Sequence, residues 1–159
     1  MGTSYVNIGQ AGFWMRDAVL ELWLRLLALH LPEPGVNDTT KQAELARTIR
    51  DAWLFTSRGW CNGCVDPDLE RFARTDSGKS IILAAMDSLR KRLRKAPDQL
   101  NKDVLNLLGW DGIEYMHDFE TQRLLQVESA FRDLIEGRIT DTIQPTEFMP
   151  GSVRIKEEG

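Results

Sequence analysis

The chain of 159 residues is poor in the residues that build covalent or metal-held frameworks, with two cysteines and two histidines. Two cysteines are too few for the disulfide framework of a small secreted domain. A long uninterrupted apolar run is also missing, because Arg16, Asp17, Glu21 and Arg25 interrupt the first apolar stretch. We therefore expect neither a signal peptide nor a membrane span. A cytoplasmic location is the default expectation.

An excess of positive charge is absent as well. The formal net charge is −4 and the sequence pI is about 5.2. We therefore expect no long-range attraction to nucleic acid or to an anionic membrane. An acidic protein is better placed to meet a basic protein partner, although mild acidity also serves solubility alone.

The sequence does contain apolar residues at helical spacing, from about residue 10 to residue 137. It has no internal repeat and no low-complexity segment. These patterns predict an all-α, single-domain bundle of five to six helices over residues 1–140, followed by an extended or flexible tail at 141–159. No strand is predicted. The predicted helices cover about 10–31, 38–57, 67–74, 77–95, 98–108 and 119–136.

The first predicted helix is apolar around nearly its whole circumference. Only Asp17, Glu21 and Arg25, at i,i+4 spacing, form a narrow polar stripe. Such a helix lies at the centre of a bundle or is shared with a second chain. A homodimer through this helix is therefore left open. In the helix at 98–108 we expect Val104 to point inward.

The most chemically suggestive feature is the C-x-x-C pair of Cys61 and Cys64, which follows Trp60. Such a pair can be a redox couple, half of a zinc site, or two ordinary thiols in a tight turn. The string resembles the redox site of thioredoxin-like proteins, which implies thiol–disulfide exchange, but that site follows a strand and a helix is predicted here. Only His30 and His117 could complete a zinc site, and both lie far away in sequence. We expect no cofactor and no metal, and we interpret the pair as two thiols in a loop that closes against Trp60.

Two further patterns are explained without a ligand. Residues 73–80 fit a relaxed phosphate-loop pattern, but no apolar strand precedes them. We interpret them as a helix start, with Asp76 or Ser77 as the cap and Lys79 in solvent. The basic run at 90–95 is interpreted as a solvated helix end, because cations are favourable at a helix C-terminus.

Two Gly-Trp loops, which carry Trp60 and Trp110, are the best candidates for an interaction surface. A tryptophan in a loop is either a lid over the core or an anchor for a partner. Tyr115 and His117 follow the second loop, and we include both among the candidate interaction residues.

No convergent set of catalytic residues can be assembled from the sequence. We therefore predict a non-enzymatic, soluble protein-binding domain, similar in general character to an inhibitor or an immunity-type protein that neutralises its partner. The alternative is a thiol–disulfide redox protein that uses Cys61 and Cys64 on a helical scaffold.

Overall fold

The computed structural model describes residues 2–33, 35, 37, 39–59, 62–108, 114–145 and 149–152. This part of the chain combines six helices with two small antiparallel sheets of two strands each. The all-α prediction is therefore wrong, and the fold is mixed. In chain order the elements are β1 (Thr3–Ile8), β2 (Ala11–Arg16), α1 (Asp17–His30), α2 (Lys41–Thr56), α3 (Leu69–Phe72), α4 (Asp76–Lys95), β3 (Gln99–Leu100), α5 (Lys102–Leu107), β4 (Phe119–Glu120) and α6 (Thr121–Ile135).

The first sheet is an N-terminal hairpin of β1 and β2. Val6 lies opposite Phe13 in its register, and both side chains are fully buried. Gly9 adopts a φ of 61°, which suits the two-residue turn between the strands. Gly12 has no room for a Cβ, which would clash with the carbonyl oxygen of Val6. The strands can therefore approach closely only with glycine at this position.

This hairpin replaces the first third of the predicted first helix. Helix α1 begins at Asp17 instead of about residue 10, after Arg16 with an extended backbone. The prediction was wrong because the apolar residues at 11–15 fit both a helical and an alternating pattern, and they run directly into the apolar surface of α1. The turn at Gly9 is the signal that separates the two readings.

Helix α1 forms the centre of the molecule. Ten of its 14 residues are buried, and it packs against β2, α2, α4 and α6. Phe131 of α6 packs against both β2 and α1. Its ring centroid lies 5.7 Å from that of Phe13 in β2 and 5.6 Å from that of Trp23 in α1. Leu29, near the end of α1, is 62% exposed. No helix in the described part of the chain is long and apolar enough to cross a membrane.

Threonine hydroxyls cap the two long helices α2 and α4. Thr40 accepts a hydrogen bond from the backbone N–H of Ala43, and Thr75 accepts one from Gly78. Both threonines have the extended backbone of an N-cap residue. The predicted cap of the fourth helix, Asp76 or Ser77, is therefore wrong by one residue or two.

The second sheet joins residues 99–108 to residues 114–120, which we call the 99–120 unit after the described residues at its ends. Strands β3 and β4 pair at its base, with Gln99 opposite Glu120, and α5 lies between them in the chain. Val104 is 58% exposed, so the prediction that it points inward is wrong. A helix of six residues buries only one narrow face, and Leu105 takes that face at 3% exposure.

Described parts of the C-terminal segment contact the rest of the fold. The backbone of Gly12 pairs with Asp141 and Ile143, at N···O distances of 3.2 and 3.0 Å. Arg123 donates to the carbonyl of Gly151 at 2.6 Å. The division into a domain at 1–140 and a tail at 141–159 stays a prediction.

Candidate functional site

The polar stripe of α1 is buried. Asp17, Glu21 and Arg25 are 6%, 5% and 2% exposed. Charged side chains are rarely buried unless they are paired or hydrogen-bonded. What covers and satisfies each of them therefore defines the candidate site.

Asp17 anchors the loop that carries the cysteines. Its Oδ1 accepts a hydrogen bond from the Ser4 hydroxyl at 2.5 Å, and its Oδ2 accepts one from the backbone N–H of Gly63 at 2.7 Å. The same Ser4 hydroxyl accepts from the backbone N–H of Val65 at 3.0 Å. Two buried side chains, one from β1 and one from α1, thus fix the backbone of the loop at 63–65.

Glu21 lies one helical turn further along α1. Burial raises the pKa of Glu21 from 4.5 to about 7; the charge of Arg25 opposes this rise and that of Asp17 adds to it. The carboxyl group therefore titrates near neutral pH, which makes it the most strongly perturbed acid described in the fold.

Arg25 connects the stripe to two further segments. Its Nε and Nη2 atoms donate to the carbonyl oxygen of Ser57, at 3.2 and 2.9 Å. Burial raises the pKa of Tyr115 to about 12, against the charge of Arg25 and with that of Glu21. The charge of Arg25 acts on the Tyr115 hydroxyl and lowers its pKa, but this hydroxyl has no hydrogen bond of good geometry within the described chain. Segments that flank both Gly-Trp loops therefore meet over the same stripe.

The cysteine pair is only partly described. Cys64 is exposed and belongs to a disulfide, and the one other cysteine in the chain is Cys61. Cys61 and Trp60 lie outside the described residues. The interpretation as two thiols is therefore wrong, because Cys64 is disulfide-bonded in the structure, and a redox role for the pair stays a prediction. Among the residues with a described position, no three His, Cys, Asp or Glu side chains are grouped as metal ligands.

A second candidate region is a set of exposed apolar side chains that we call the α5 surface, namely Val104 and Leu107 on α5 and Met116 in the segment that is hydrogen-bonded beside it. These side chains are 58%, 85% and 66% exposed. Within the described chain they are three of five exposed large hydrophobic residues, and the other two are Leu29 and Phe55. Exposed apolar residues are therefore concentrated in the 99–120 unit.

Hydrogen bonds hold residues 115–118 beside α5. The Asn106 side chain accepts from the backbone N–H of Tyr115 at 2.7 Å and donates to its carbonyl at 3.1 Å. Asp118 accepts from the backbone N–H of Lys102 at 2.9 Å. His117 is exposed, whereas Trp110 lies outside the described residues. Of the candidate interaction residues, the structure thus brings Tyr115 and His117 to this unit.

The phosphate-loop pattern has a structural explanation. Gly78 lies in the first turn of α4, and a Cβ there would clash with the carbonyl oxygen of Phe72. Its backbone N–H donates to Thr75, so it is already engaged in capping the helix. The glycine therefore serves the close packing of α3 against the start of α4.

No protein-family model matches this chain, and no curated protein or solved structure does. Function therefore has to be inferred from the geometry of its own residues. The burial of Asp17, Glu21 and Arg25 was missed from the sequence. Their i,i+4 spacing on an otherwise apolar helix was the available signal, but whether such a stripe faces solvent depends on loops distant in the chain.

Proposed function

We propose that the protein is a non-enzymatic binding domain that docks another protein through the α5 surface. The observation that carries this proposal is the concentration of exposed apolar side chains, Val104, Leu107 and Met116, in one unit. Exposed apolar groups that cluster on a soluble chain are typical of interaction sites. A role as an inhibitor or immunity-type protein that neutralises its partner belongs to the same proposal.

The unit that carries the α5 surface is held in shape before binding. Asn106 and Asp118 tie residues 115–118 to α5, and β3 pairs with β4 at the base. A preordered surface loses less conformational entropy on association than a mobile one. The same unit is therefore suited to recognise a partner of fixed shape.

The charges around the α5 surface favour a basic partner. The described residues of the 99–120 unit carry four carboxylates, on Asp103, Glu114, Asp118 and Glu120, against one lysine, Lys102. Complementary charge at a rim speeds association and selects the partner, while the apolar centre supplies affinity. We therefore propose a protein with an apolar contact patch ringed by lysine or arginine, and no nucleic acid or membrane. A second copy of this chain could occupy the same surface instead of another protein. Sedimentation of the pure protein distinguishes the two, because only a homodimer forms without a partner.

The test compares the wild type with the double variant Leu107→Ser, Met116→Ser. The control is Leu29→Ser, which removes a leucine that is also exposed, at 62%, near the end of α1. A partner captured by the wild type is purified, and its affinity for each variant is measured by calorimetry. We expect the double variant to lose roughly tenfold or more in affinity, because central apolar contacts carry most interface energy, and we expect the control to bind as the wild type does.

The basic character of the partner is tested by salt. Affinity for the wild type should fall as ionic strength rises, because rim charges are screened. Equal losses in the control and the double variant, or an affinity independent of both, would contradict docking at the α5 surface.

A second candidate function is thiol–disulfide exchange at Cys61 and Cys64. The observation that favours it is an exposed disulfide at Cys64 in a loop whose backbone is held by Asp17 and Ser4. In the exchange, a thiolate of a dithiol reductant attacks one sulfur and breaks the S–S bond. The second thiol of the reductant then releases the protein, so two electrons and two protons pass to the cysteine pair and the reductant leaves as a disulfide. In the cytoplasmic location that we propose, such a pair is exposed to reducing thiols.

The pH dependence of alkylation tests this alternative. The reduced protein is treated with iodoacetamide across the pH range, and the double Cys61→Ser, Cys64→Ser variant is the control. One fast thiol with an apparent pKa below about 7 would support a redox role. Slow reaction with an apparent pKa near about 8.5, the ordinary thiol value, would contradict it.

A further inference from the structure

A cavity lies along the second half of α4, against the end of α1. Its volume is about 860 Å³, which is within the range of pockets that hold small organic molecules. Part of its lining is apolar and small, with Ala84, Ala96 and Pro97. The site therefore offers both room and an apolar floor.

Three cations line the same cavity: Lys91, Arg92 and Lys95. Lys91 and Lys95 are four residues apart on α4 and therefore lie on one face of the helix. Within the described chain, no carboxylate oxygen lies within 4.0 Å of a side-chain nitrogen of these three residues, so none of them forms an ion pair. Their charge is therefore available to a ligand.

The carboxylate in the lining does not neutralise these cations. Asp87 is bound by Arg90 at 3.1 Å and by Arg132 at 2.7 Å. Both of those arginines also interact with Glu128, at 3.8 and 2.7 Å. Asp87 therefore belongs to an ion network between α4 and α6, next to the cavity.

A histidine completes the polar side of the cavity. His30 Nδ1 lies 2.8 Å from the Ser88 hydroxyl. Burial lowers the pKa of His30, and the charge of Arg92 lowers it further. The ring and the hydroxyl are therefore neutral hydrogen-bonding groups beside three positive charges.

We propose that this cavity binds a phosphate group carried on an apolar body. Three cations in the lining of one cavity are best matched by a dianion, whereas a single carboxylate would leave two of them uncompensated. The guanidinium fork of Arg92 suits the oxygens of a phosphate. Ala96 and Pro97, which follow Lys95 directly in the chain, then contact the apolar body.

This site lies on α4, apart from the 99–120 unit, and it requires none of the residues of the α5 surface. A helix end rich in lysine and arginine also occurs for dipole reasons alone. The experiment must therefore distinguish a built site from general attraction to positive charge.

Phenyl phosphate is titrated into the isotope-labelled protein and followed by NMR, with His30 and Ser88 as reporters. Phenol and toluenesulfonate, at the same concentrations, supply a similar aromatic body with no charge and with one negative charge. We expect saturable shifts at the reporters for phenyl phosphate and much weaker ones for the two comparison ligands. Shifts that do not saturate, or that are equal for phenyl phosphate and toluenesulfonate, would overturn the proposal.

Two charge-matched variants locate the site. Lys91→Gln, Lys95→Gln removes two charges from the cavity, and Lys41→Gln, Lys102→Gln removes two charges elsewhere. Binding should weaken roughly tenfold in the first, because charge-assisted hydrogen bonds are lost, and stay within about twofold in the second, where only screened long-range attraction changes. An equal loss in both variants would show general attraction and would overturn the site.

The source of the phosphate is distinguished by a second ligand, a short peptide with one phosphotyrosine. Equal affinity for phenyl phosphate and the peptide would assign a small phosphate ester as the ligand class. Tighter binding of the phosphopeptide that is lost with the unphosphorylated peptide would assign a phosphorylated protein segment. Binding of neither would refute the proposal.

Discussion

Glu21 allows the sharpest test of the buried stripe, through the variant Glu21→Gln. Burial holds the pKa of this carboxyl at about 7 instead of 4.5. At a pH between these two pKa values, Glu21 keeps its proton in the folded protein but has already lost it in the unfolded chain. Unfolding therefore releases a proton, and the free energy of unfolding falls as the pH rises through this window.

The size of the effect follows from the two pKa values. At roughly 1.4 kcal/mol per pH unit, Glu21 lowers the free energy of unfolding by about 3 kcal/mol between pH below 4.5 and pH above 7. Glutamine has the shape of the protonated acid and carries no charge. We therefore expect Glu21→Gln to exceed the wild type by about 3 kcal/mol at pH 8 and by under about 1 kcal/mol at pH 5.

Urea unfolding at a series of pH values measures this difference. The matched control is Glu70→Gln, which removes the same charge from an exposed position. The control should keep the pH profile of the wild type, while Glu21→Gln should flatten it. Parallel profiles for Glu21→Gln and the wild type would refute the raised pKa. A variant as stable as the wild type at pH 4 but less stable above pH 7 would instead show that the ionised carboxylate contributes net stability beside Arg25.

Three further predictions concern the core and the start of α4. Leu22→Ala should lower the free energy of unfolding by about 2–5 kcal/mol, because Leu22 is fully buried. The control Leu29→Ala should lower it by under about 0.5 kcal/mol. Equal losses for the two variants in urea melts would contradict the central position of α1. Gly78→Ala should cost about 1–3 kcal/mol in a thermal melt, because its Cβ would clash with Phe72, and an unchanged melting temperature would show that the turn relaxes freely. Calorimetry with ATP or GTP and magnesium should show no binding, and a micromolar affinity abolished by Lys79→Ala would overturn the structural explanation of the phosphate-loop pattern.

The long amphipathic helices were predictable from sequence, and the hairpin was not. Helices α4 (Asp76–Lys95) and α6 (Thr121–Ile135) lie close to the predicted 77–95 and 119–136, because each carries an unbroken apolar stripe between clear stop signals. At the N-terminus the apolar residues of β2 continue into α1 without a break. Local pattern therefore could not place the boundary at Asp17, which also depends on pairing with β1.

The candidate sites were predictable only in part. Tyr115 and His117 were selected because they follow a Gly-Trp loop; the structure buries the Tyr115 hydroxyl near Arg25 and exposes His117, and their role in an interaction stays a prediction. Val104 was assigned to the core because its spacing fits a longer helix than the six residues that form. The burial of Glu21 and Arg25 depends on segments more than 30 residues away, such as Ser57, and no local pattern contains that information.

The polar stripe on α1 has a structural role that apolar residues could not fill, because its side chains form hydrogen bonds to loop backbone groups. Two backbone groups beside the stripe have no helix or strand partner. They are the N–H of Gly63, in an exposed loop, and the carbonyl of Ser57, a fully buried residue at the end of α2 whose unpaired carbonyl would be costly. Asp17 and Arg25 provide those partners from the rigid centre of the fold. Leucines at these positions would remove the cost of burying charge, but they would leave the loop backbone unsatisfied and free to shift. Burial of the stripe also raises the pKa of Glu21, and the fixed position of residues 63–65 is what Asp17 and Ser4 provide.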